Sequence, residues 1–385
     1  MIVLRRALPW LLLILLITQQ MAFAANNIEN QLEDLDIREI NEFINEFNRE
    51  YGSYFYLGDL KDLLNSPKKD QNIDFKSLFE GIMRYIFHEI TANYSLLVKL
   101  IALSLISSVL KNLYYGFEKD NIGKMAYSAV LLVLVLLAIQ SFTIAIETGQ
   151  EAINKMVSFV QAIMPTVFTL LAAVGGITSA SVFNPIIFIG ITAASTWFKD
   201  IILPVIFLIS VLSLVNNITD SFHVSQLAHL LKQLCVFLIG LFLSVFLGIM
   251  VVQGATAATV DGITIRTAKF ASKNFMPIVG GIFSDALDAV VGYSIILKNT
   301  IGLIGLLTLF LITIFPVIKI LSIIFIYRLS AAIIQPVGED AMVRCLNDIG
   351  NSLTLVFISV ASVSMMFFIA ITIVLAAGNF SIMLR

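Results

Sequence analysis

The sequence is poor in the residues from which most catalytic and metal sites are built. It has three histidines and two cysteines in 385 residues, and only 13% of the chain is charged. It contains no Gly-x-Ser-x-Gly element, phosphate-binding glycine loop or cysteine pair at metal-binding spacing. His88-Glu89 begins like a zinc motif, but residue 92 is alanine, so the second histidine is missing. These absences argue against an enzyme, and no cofactor or metal is expected.

Two further absences narrow the class of protein. Cys235 and Cys345 are far apart in apolar sequence, so no disulfide framework is expected. No basic stripe with interleaved aromatic residues occurs, which argues against nucleic-acid binding. Apolar sequence, by contrast, is abundant: 58% of the residues are hydrophobic and the mean hydropathy is +0.94. Because a soluble domain carries about 25% charged residues, this composition indicates a membrane protein.

The first 24 residues have the three parts of a secretory signal peptide. Residues 1–6 are short and basic, and residues 9–18 are apolar but too few to span a bilayer. Ala22-Phe23-Ala24 then offers small residues for cleavage. An uncleaved anchor is the alternative, which the short apolar run disfavours. We expect cleavage after Ala24, so that the mature chain begins outside the cytoplasm.

Residues 25–92 form an acidic segment with 14 acidic and 7 basic residues. Apolar residues recur there at helical spacing in two runs, separated by turn signals at Gly52 and Ser66-Pro67. So short a segment makes a marginal core, and we expect it to pack on the membrane surface, on itself or on a partner. Its acidic face is either a docking surface or simply solvated. We therefore predict a small helical extracytoplasmic domain.

The rest of the chain contains apolar segments long enough to cross about 30 Å of hydrocarbon. The sequence predicts an all-α fold: a polytopic membrane helical bundle of about eight spans, including a two-span hairpin within residues 93–146. The expected spans are 93–113, 125–146, 156–177, 184–218, 233–254, 275–297, 301–327 and 351–377.

Residues 184–218 are too long for one ordinary span, and Lys199, Asp200 and Pro204 lie near their middle. They form either two short spans or one broken span. A single crossing places both Arg266 and Arg328 in cytoplasmic loops, in agreement with the positive-inside rule, so one broken crossing is preferred.

A shift of 112 residues aligns two parts of the membrane region, here called repeat A (153–254) and repeat B (265–377). It pairs several residues: Pro165 with Pro277, Pro204 with Pro316, and Gly190 with Gly302. Duplication is the preferred explanation, although apolar sequence inflates chance matches. With three spans in each copy, the copies would be inverted in the membrane, and prolines would interrupt equivalent helices near the midplane.

Several polar or helix-breaking residues are candidates for function. Ionisable groups within a span, such as Asp285 and Asp288, face a cavity or a partner, unless they lie near a helix end and reach water. Basic residues that follow Asp261-Gly262 fit a segment beside lipid head groups. Gly240, Ser244 and Gly248 form a small-residue face, whose default role is helix packing and whose alternative is an oligomer seam. The full set of candidate positions is Lys199, Asp200, Pro204, Asp261, Gly262, Arg266, Lys269, Pro277, Asp285, Asp288, Pro316, Gln335 and Pro336.

Taken together, these segments resemble the stage III sporulation protein AE family. The resemblance rests on the signal peptide, the acidic helical head and the order of four later segments. These are the run from Asp261-Gly262 to Lys269-Phe270, the segment from Asn274 to Gly280, Gln335-Pro336-Val337-Gly338, and the segment from Cys345 to Gly350.

The resemblance implies a role in endospore formation. It implies a component of a secretion-like channel complex in the mother-cell membrane around the forespore, with the head in the intermembrane space. The implied partners are the other stage III sporulation proteins of the same operon (AA to AH), stage II sporulation protein Q and membrane lipid. The repeat and the broken helices alone suggest an alternative, a secondary transporter or permease with a midplane site. A scaffold without a conduit is a third class.

Overall fold

The structure, a computed structural model, describes residues 38–58, 75–116, 121–218, 224–275, 279–336 and 340–383. Every regular element in these ranges is helical, which confirms the all-α prediction. The predicted signal peptide (residues 1–24) lies outside them. The helices are α1 (Arg38–Tyr51), α2 (Phe75–Ala92), α3 (Tyr94–Gly116), α4 (Asn121–Ala173), α5 (Ile177–Thr196), α6 (Leu203–Ile218), α7 (Ser225–Phe275), α8 (Val279–Ile334) and α9 (Asp340–Met383).

Long antiparallel rods form the bundle. The rods are α4, the α5–α6 pair, α7, α8 and α9, and each turns back on the one before. Helix α9 packs against all the others and supplies much of the core, with Val356, Val360 and Val363 fully buried. Helices α1, α2 and α3 lie on the outside, against α4 and α8. The apolar face of α1 is buried by this contact, as the spacing of Ile40, Ile44 and Phe47 predicted.

Side-chain contacts define two ends and a middle of this bundle. At one end, here called the Arg328 end, the Tyr327 hydroxyl donates to Ser141 Oγ at 2.9 Å, and Arg328 contacts Asn351. At the other, the Asp261 end, Asp261 meets the beginning of α5. The middle level, between these two sets of contacts, is marked by Lys155 on α4 and by Phe315 on α8.

The number of spans differs from the expected eight. The described residues contain five helices that are long and apolar enough to cross a membrane, or six if the bent pair α2–α3 counts as one. Expected loops near residues 147–155 and 298–300 are instead continuous helix within α4 and α8. Residues 147–155 include glutamate, glutamine and alanine, which are good helix formers, so their polarity does not end the helix. Arg266 and Arg328 consequently lie at opposite ends of the bundle rather than on the same side.

Residues 177–218 form one helical rod with a local widening at Trp197–Ile202, where the backbone forms a π-helix. The Leu203 N–H donates to the Phe198 carbonyl, five residues back. Pro204 explains the widening, because its ring clashes with the carbonyl of residue 200 in a regular α-helix. The prediction of a single interrupted helix therefore agrees with the structure.

The two helices that carry Pro204 and Pro316 run in the same direction, because both are antiparallel to α4. The expected inverted arrangement is thus not seen: the second copy contributes two rods, not three. Gly190 and Gly302, which the 112-residue shift pairs, both lie where the proline-bearing rod closely approaches the rod that follows it. An added Cβ would meet Phe246 of α7 at Gly190 and Leu375 of α9 at Gly302.

Candidate functional site

An ionic cluster joins the head to the middle of the bundle. Lys155 Nζ lies 2.7 Å from Glu50 Oε2 and 3.8 Å from Glu46 Oε1, both on α1, and 3.1 Å from Glu151 on its own helix. The amphipathic pattern of α1 places these glutamates beside its buried apolar face, so α1 can lie along α4 while its carboxylates reach the lysine. The cluster ties residues that are 105 positions apart in sequence.

Beside this ionic cluster lies an aromatic cluster centred on Phe315 of α8, which is fully buried. The Tyr51 ring stacks on Phe315 with centroids 4.2 Å apart, and Phe47 lies 5.6 Å away. Tyr85 of α2 meets Phe315 edge-on at 4.8 Å. Offset and edge-on aromatic pairs each contribute about 0.5–1.5 kcal/mol beyond burial. One phenylalanine therefore holds both head helices.

The segment after α1 is fastened by polar contacts. Asn48 exchanges two hydrogen bonds with Leu57: its amide donates to the Leu57 carbonyl at 2.6 Å, and its oxygen accepts from the Leu57 N–H at 2.8 Å. Arg84 of α2 donates to the Tyr54 carbonyl at 3.3 Å. Gly81 allows this backbone to approach α2, because an added Cβ would collide with the Tyr54 carbonyl oxygen. The two helices and their connection thus pack as one unit on the bundle.

The junction shifts the pKa of its acidic groups. Partial burial raises the pKa of Glu50, but hydrogen bonds from Lys155 and Tyr51 and the charge of Lys155 outweigh this effect, so that the pKa lies below its ordinary value of 4.5. Burial, followed by the neighbouring Glu50 carboxylate, raises the pKa of Tyr51 far above its usual range. At neutral pH Glu50 is therefore an ionised carboxylate beside the neutral phenol of Tyr51.

We expect the docking of α1 to be stable at neutral pH and to weaken only in acid. Because the pKa of Glu50 is lower in the docked state, its contribution is complete above 4.5 and is lost as the pH falls through the depressed value. Tryptophan in place of Phe43, in a Trp197→Phe background, would report undocking as a red shift of emission. A transition centred above pH 4.5 would contradict the assignment. Glu50→Gln should weaken docking at neutral pH and remove Glu50's part of the acid dependence.

The predicted break in residues 184–218 also lies at the middle level. Lys199 of the π-helix donates to Asn154 Oδ1 of α4 at 2.6 Å. Asp200 and Pro204 are exposed on the outer face of the rod. Lys199 of the π-helix therefore contacts Asn154, the residue next to Lys155 in the chain. The helix interruption thus lies beside the junction of the head with the bundle. Lys199 therefore has its hydrogen-bond partner on another helix.

Asp261 caps α5 from a distance of more than 80 residues. Its two carboxylate oxygens accept from the Thr178 and Ser179 N–H groups at 2.7 and 2.8 Å, and the residue is only 1% exposed. Helix α5 has glycine at its own N-cap and no side-chain cap of its own. A carboxylate at a helix amino terminus satisfies free N–H groups and complements the helix dipole. The neighbouring Gly262 is also buried.

The remaining candidate positions do not gather into one site. Pro316 is buried and lines a small cleft between α1 and the bundle, beside Lys155 and Ile312. Other candidates are exposed: Arg266 on α7, Gln335 and Pro336 in a turn, and the small-residue face of Gly240, Ser244 and Gly248. Open space surrounds Gly240 and Gly248, so no described helix packs on them. Pro277 and the side chains of Lys269, Asp285 and Asp288 lie outside the described residues.

Sequence reasoning missed Lys155, Phe315 and Lys298. Lys298 of α8 is fully buried and donates to the Leu375 carbonyl at 2.8 Å and to Asn379 Oδ1 at 2.9 Å, near the end of α9. The available signal was a lone cation within an apolar run, which predicts a specific partner. Phe315 carried no signal, because one phenylalanine among 29 is unremarked in an apolar chain.

In the part of the chain that the structure describes, no group of three histidine, cysteine or acidic side chains is placed to hold a metal ion. A polar cleft of about 170 Å³ lies near the Arg328 end, between α6, α7 and α9. Its lining includes His229, Lys232 and Asn351. The strongest constellation is thus the junction of the head with the bundle, which holds elements together.

Comparison with known proteins identifies the family. The family model for stage III sporulation protein AE matches residues 58–378. Stage III sporulation protein AE of Bacillus subtilis (strain 168) is 40% identical over 357 residues, which cover 93% of this chain and 90% of that protein. No solved structure matches the chain. Both the extent of the family match and the identity to a full-length relative lead to one conclusion: the chain belongs to the stage III sporulation protein AE family.

Proposed function

We propose that this protein is a multi-pass membrane component of a secretion-like channel complex that links mother cell and forespore. Family membership supports a role in sporulation, and the long apolar helices indicate an integral membrane protein. In this proposal the protein lies in the mother-cell membrane around the forespore, and its head projects into the intermembrane space. The observation that carries the proposal is the firm attachment of the acidic head to the middle of the bundle.

The attachment leaves a charged surface free to meet other proteins. Helix α1 buries Ile40, Ile44 and Phe47, while Glu39 and Glu42 face outward. A head that is held by ion pairs, stacked rings and backbone hydrogen bonds presents this acidic face in one orientation. Rigid presentation lowers the entropy cost of binding a partner. The proposed partners are the other stage III sporulation proteins of the operon (AA to AH) and stage II sporulation protein Q.

The alternative, a transporter with a midplane site, requires the two prolines of the repeat to meet at a shared cavity. Pro204 is exposed on the outside of α6, whereas Pro316 is buried beneath α1. Helix α9 packs against both proline-bearing helices with buried apolar residues, among them Met366 and Phe367. This arrangement gives the transporter less support than the channel component. That the protein is not an enzyme stays a prediction.

Affinity purification from sporulating cells tests the proposal. We expect the tagged full-length protein to co-purify with ring-forming and ATPase subunits of the same operon. The double variant Glu39→Lys/Glu42→Lys should lose the extracytoplasmic partners, because it reverses the exposed face of the head without touching its buried side. Glu147→Lys, an exposed reversal on α4, serves as the matched control. Recovery of a lone protein that performs ion-coupled uptake in liposomes would instead favour the transporter.

A further inference from the structure

The rods are too long for the membrane. The shortest of the single long helices, α9, has 44 residues and the longest, α8, has 56. At 1.5 Å per residue these helices are about 65–85 Å long, whereas the hydrocarbon core is about 30 Å thick. Only part of each rod can therefore contact lipid tails. The exposed side chains indicate which part.

Around the half nearer the Arg328 end, the outward side chains are apolar. On α4, Leu132 and Leu136 are 57% and 66% exposed, and on α6 Phe207 and Leu208 are also exposed. The same holds for α8 and for α3 from Leu105 onwards, whereas Lys99 of α3 is exposed nearer the middle level. Further exposed apolar residues of this half are Leu105, Ile106, Val109, Val133, Val215, Leu321 and Phe325. A belt of this kind, on four neighbouring elements, fits lipid tails.

Towards the Asp261 end, the same two rods turn a polar stripe outward. The spacing of three or four residues places each set on one helix face. Charged residues occur in both sets, and exposing one to hydrocarbon costs about 2.5–3.5 kcal/mol or more. The exposed polar residues are Glu147, Glu151, Asn154, Ser158, Gln161 and Thr169 on α4, and Ser181, Asn184, Thr192, Thr196 and Asp200 on the α5 rod.

The head helices cover this same half. Phe43 of α1 meets Phe159 on the Asp261 side of Lys155, and α2 continues the line of α3 past Phe315 with a bend of 40°. Both helices face outward with charged residues, including Glu42 and Arg84. Four elements of this half thus expose charged residues to their surroundings, and Ile189 of the α5 rod and Phe79 and Phe87 of α2 are exposed beside them. Water, not lipid, is the solvent that such a surface fits.

On the opposite side of the bundle the apolar surface reaches further. Exposed apolar residues of α7 continue from Leu227 to Val252. Beyond them exposed polar residues, among them Thr256, Thr259 and Thr264, alternate with the exposed apolar Val260 and Ile263. On α9 the exposed large apolar residues are Met365 and Phe368, and the exposed Thr372 follows them. On the side of α7 and α9, the boundary between apolar and polar surface thus lies closer to the Asp261 end. Such an oblique boundary corresponds to a bundle that is tilted in the membrane. Tilts of about 20°, with a range up to 40°, are usual for membrane helices.

We propose that the bilayer surrounds only the half of the bundle at the Arg328 end, along an oblique boundary, and that the rest stands in water on the side of the head. The boundary passes Glu147 and Asp200 on one side and Val252 on the other. More lysines and arginines flank the Arg328 end than the Asp261 end, which makes the Arg328 end cytoplasmic. In the described helices these flanking cations are Lys111, Lys124, Lys232, Arg328 and Arg344, against Arg266, Lys269, Lys273 and Lys298.

Two apolar segments that the sequence analysis expected to span the membrane, the second half of α4 and the beginning of α8, lie outside the hydrocarbon in this proposal. It also makes the Asp261 cap and the head junction parts of an extracytoplasmic tower. The tower is polar on its α4–α5 side and carries α1 and α2 on its flank. This inference concerns how the chain sits in any membrane, so it stands or falls independently of the channel proposal.

Cysteine labelling of the full-length protein, produced in cells that are not sporulating and studied in protoplasts, tests the placement. Cys235 and Cys345 are replaced by alanine, and single cysteines are introduced at Ser158, Gln161 and Asn184 in the polar stripe. We expect a membrane-impermeant maleimide to label these positions in intact protoplasts, as it labels a cysteine at Glu42 of the head. Matched cysteines at Leu136 and Leu208 should stay unlabelled until the protein is denatured in detergent. The pair Ile249 and Thr259 checks the oblique boundary, with only Thr259 labelled.

Two outcomes would overturn the proposal. Labelling of the stripe only after protoplast lysis would place the Asp261 half in the cytoplasm. Protection of Ser158, Gln161 and Asn184 until denaturation would place them in hydrocarbon, as the eight-span arrangement requires. Because all three residues are exposed on the bundle surface, their replacement by cysteine is not expected to disturb folding.

Discussion

Replacing Asp261 with alanine is expected to destabilise the protein by about 3 kcal/mol or more, with the loss centred on the beginning of α5. The substitution removes two charge-assisted hydrogen bonds to buried N–H groups, and each such bond contributes about 1.5–3 kcal/mol. Water cannot replace the carboxylate easily, because the site is almost fully enclosed. Hydrogen exchange of residues 177–181 in nanodiscs should rise more than that of α8.

The conservative variant Asp261→Asn distinguishes the loss of capping hydrogen bonds from the loss of side-chain volume. Asp261→Asn keeps one acceptor oxygen for one N–H group but turns an amide donor towards the other, so we expect about half of the loss. Arg266→Ala, which changes an exposed residue of the same helix, should alter stability by no more than about 0.5 kcal/mol. If the amides of α5 exchange hydrogen at the same rate in the wild type and in Asp261→Ala, the cap is dispensable.

Asp261 also shows where sequence reasoning ends. The residue was singled out from the sequence because it opens a polar stretch next to a predicted span. Its partners were not foreseen, because the N–H groups of Thr178 and Ser179 are more than 80 residues away and belong to a helix with no signal for a missing cap. A contact of this kind follows from the packing of α5 on α7, which single-sequence periodicity does not contain.

The amphipathic pattern of the head helix α1 could be predicted from the sequence, but the surface on which this helix packs could not. The spacing of Ile40, Ile44 and Phe47 indicates an amphipathic helix, and these are the residues that the structure buries. The surface that receives them is built from α4 and α8, and on α4 it includes the polar interruption around Lys155. In sequence, a charged interruption between two apolar runs is typical of a loop, and it was interpreted as one. The structure keeps the helix continuous because these polar residues are good helix formers, and glutamates of the head, which are distant in sequence, pair with the lysine.

The largest effect on the head is expected from Phe315→Ala. Removing a fully buried phenylalanine typically costs about 3–5 kcal/mol, because both the transfer energy and the cavity left behind count. Here the loss falls on the contact between the head and α8, since Phe47, Tyr51 and Tyr85 all pack on this ring. We expect hydrogen exchange of α1 to rise by about 100-fold or more while α9 remains protected. Phe325→Ala, which changes an exposed residue of the same helix, should leave α1 protected.

The two parts of the junction should be strongly non-additive. Lys155→Met alone leaves three carboxylates without their common cation, and we expect it to loosen α1 by about 1–2 kcal/mol, since the pairs are partly exposed. In the Phe315→Ala background α1 is already released, so the same change should have little further effect on its exchange. Residues that contact a shared element couple in this way, whereas independent sites add. Additive effects would mean that Lys155 and Phe315 stabilise α1 independently. The ionic and aromatic clusters would then not form one cooperative attachment of the head to the bundle.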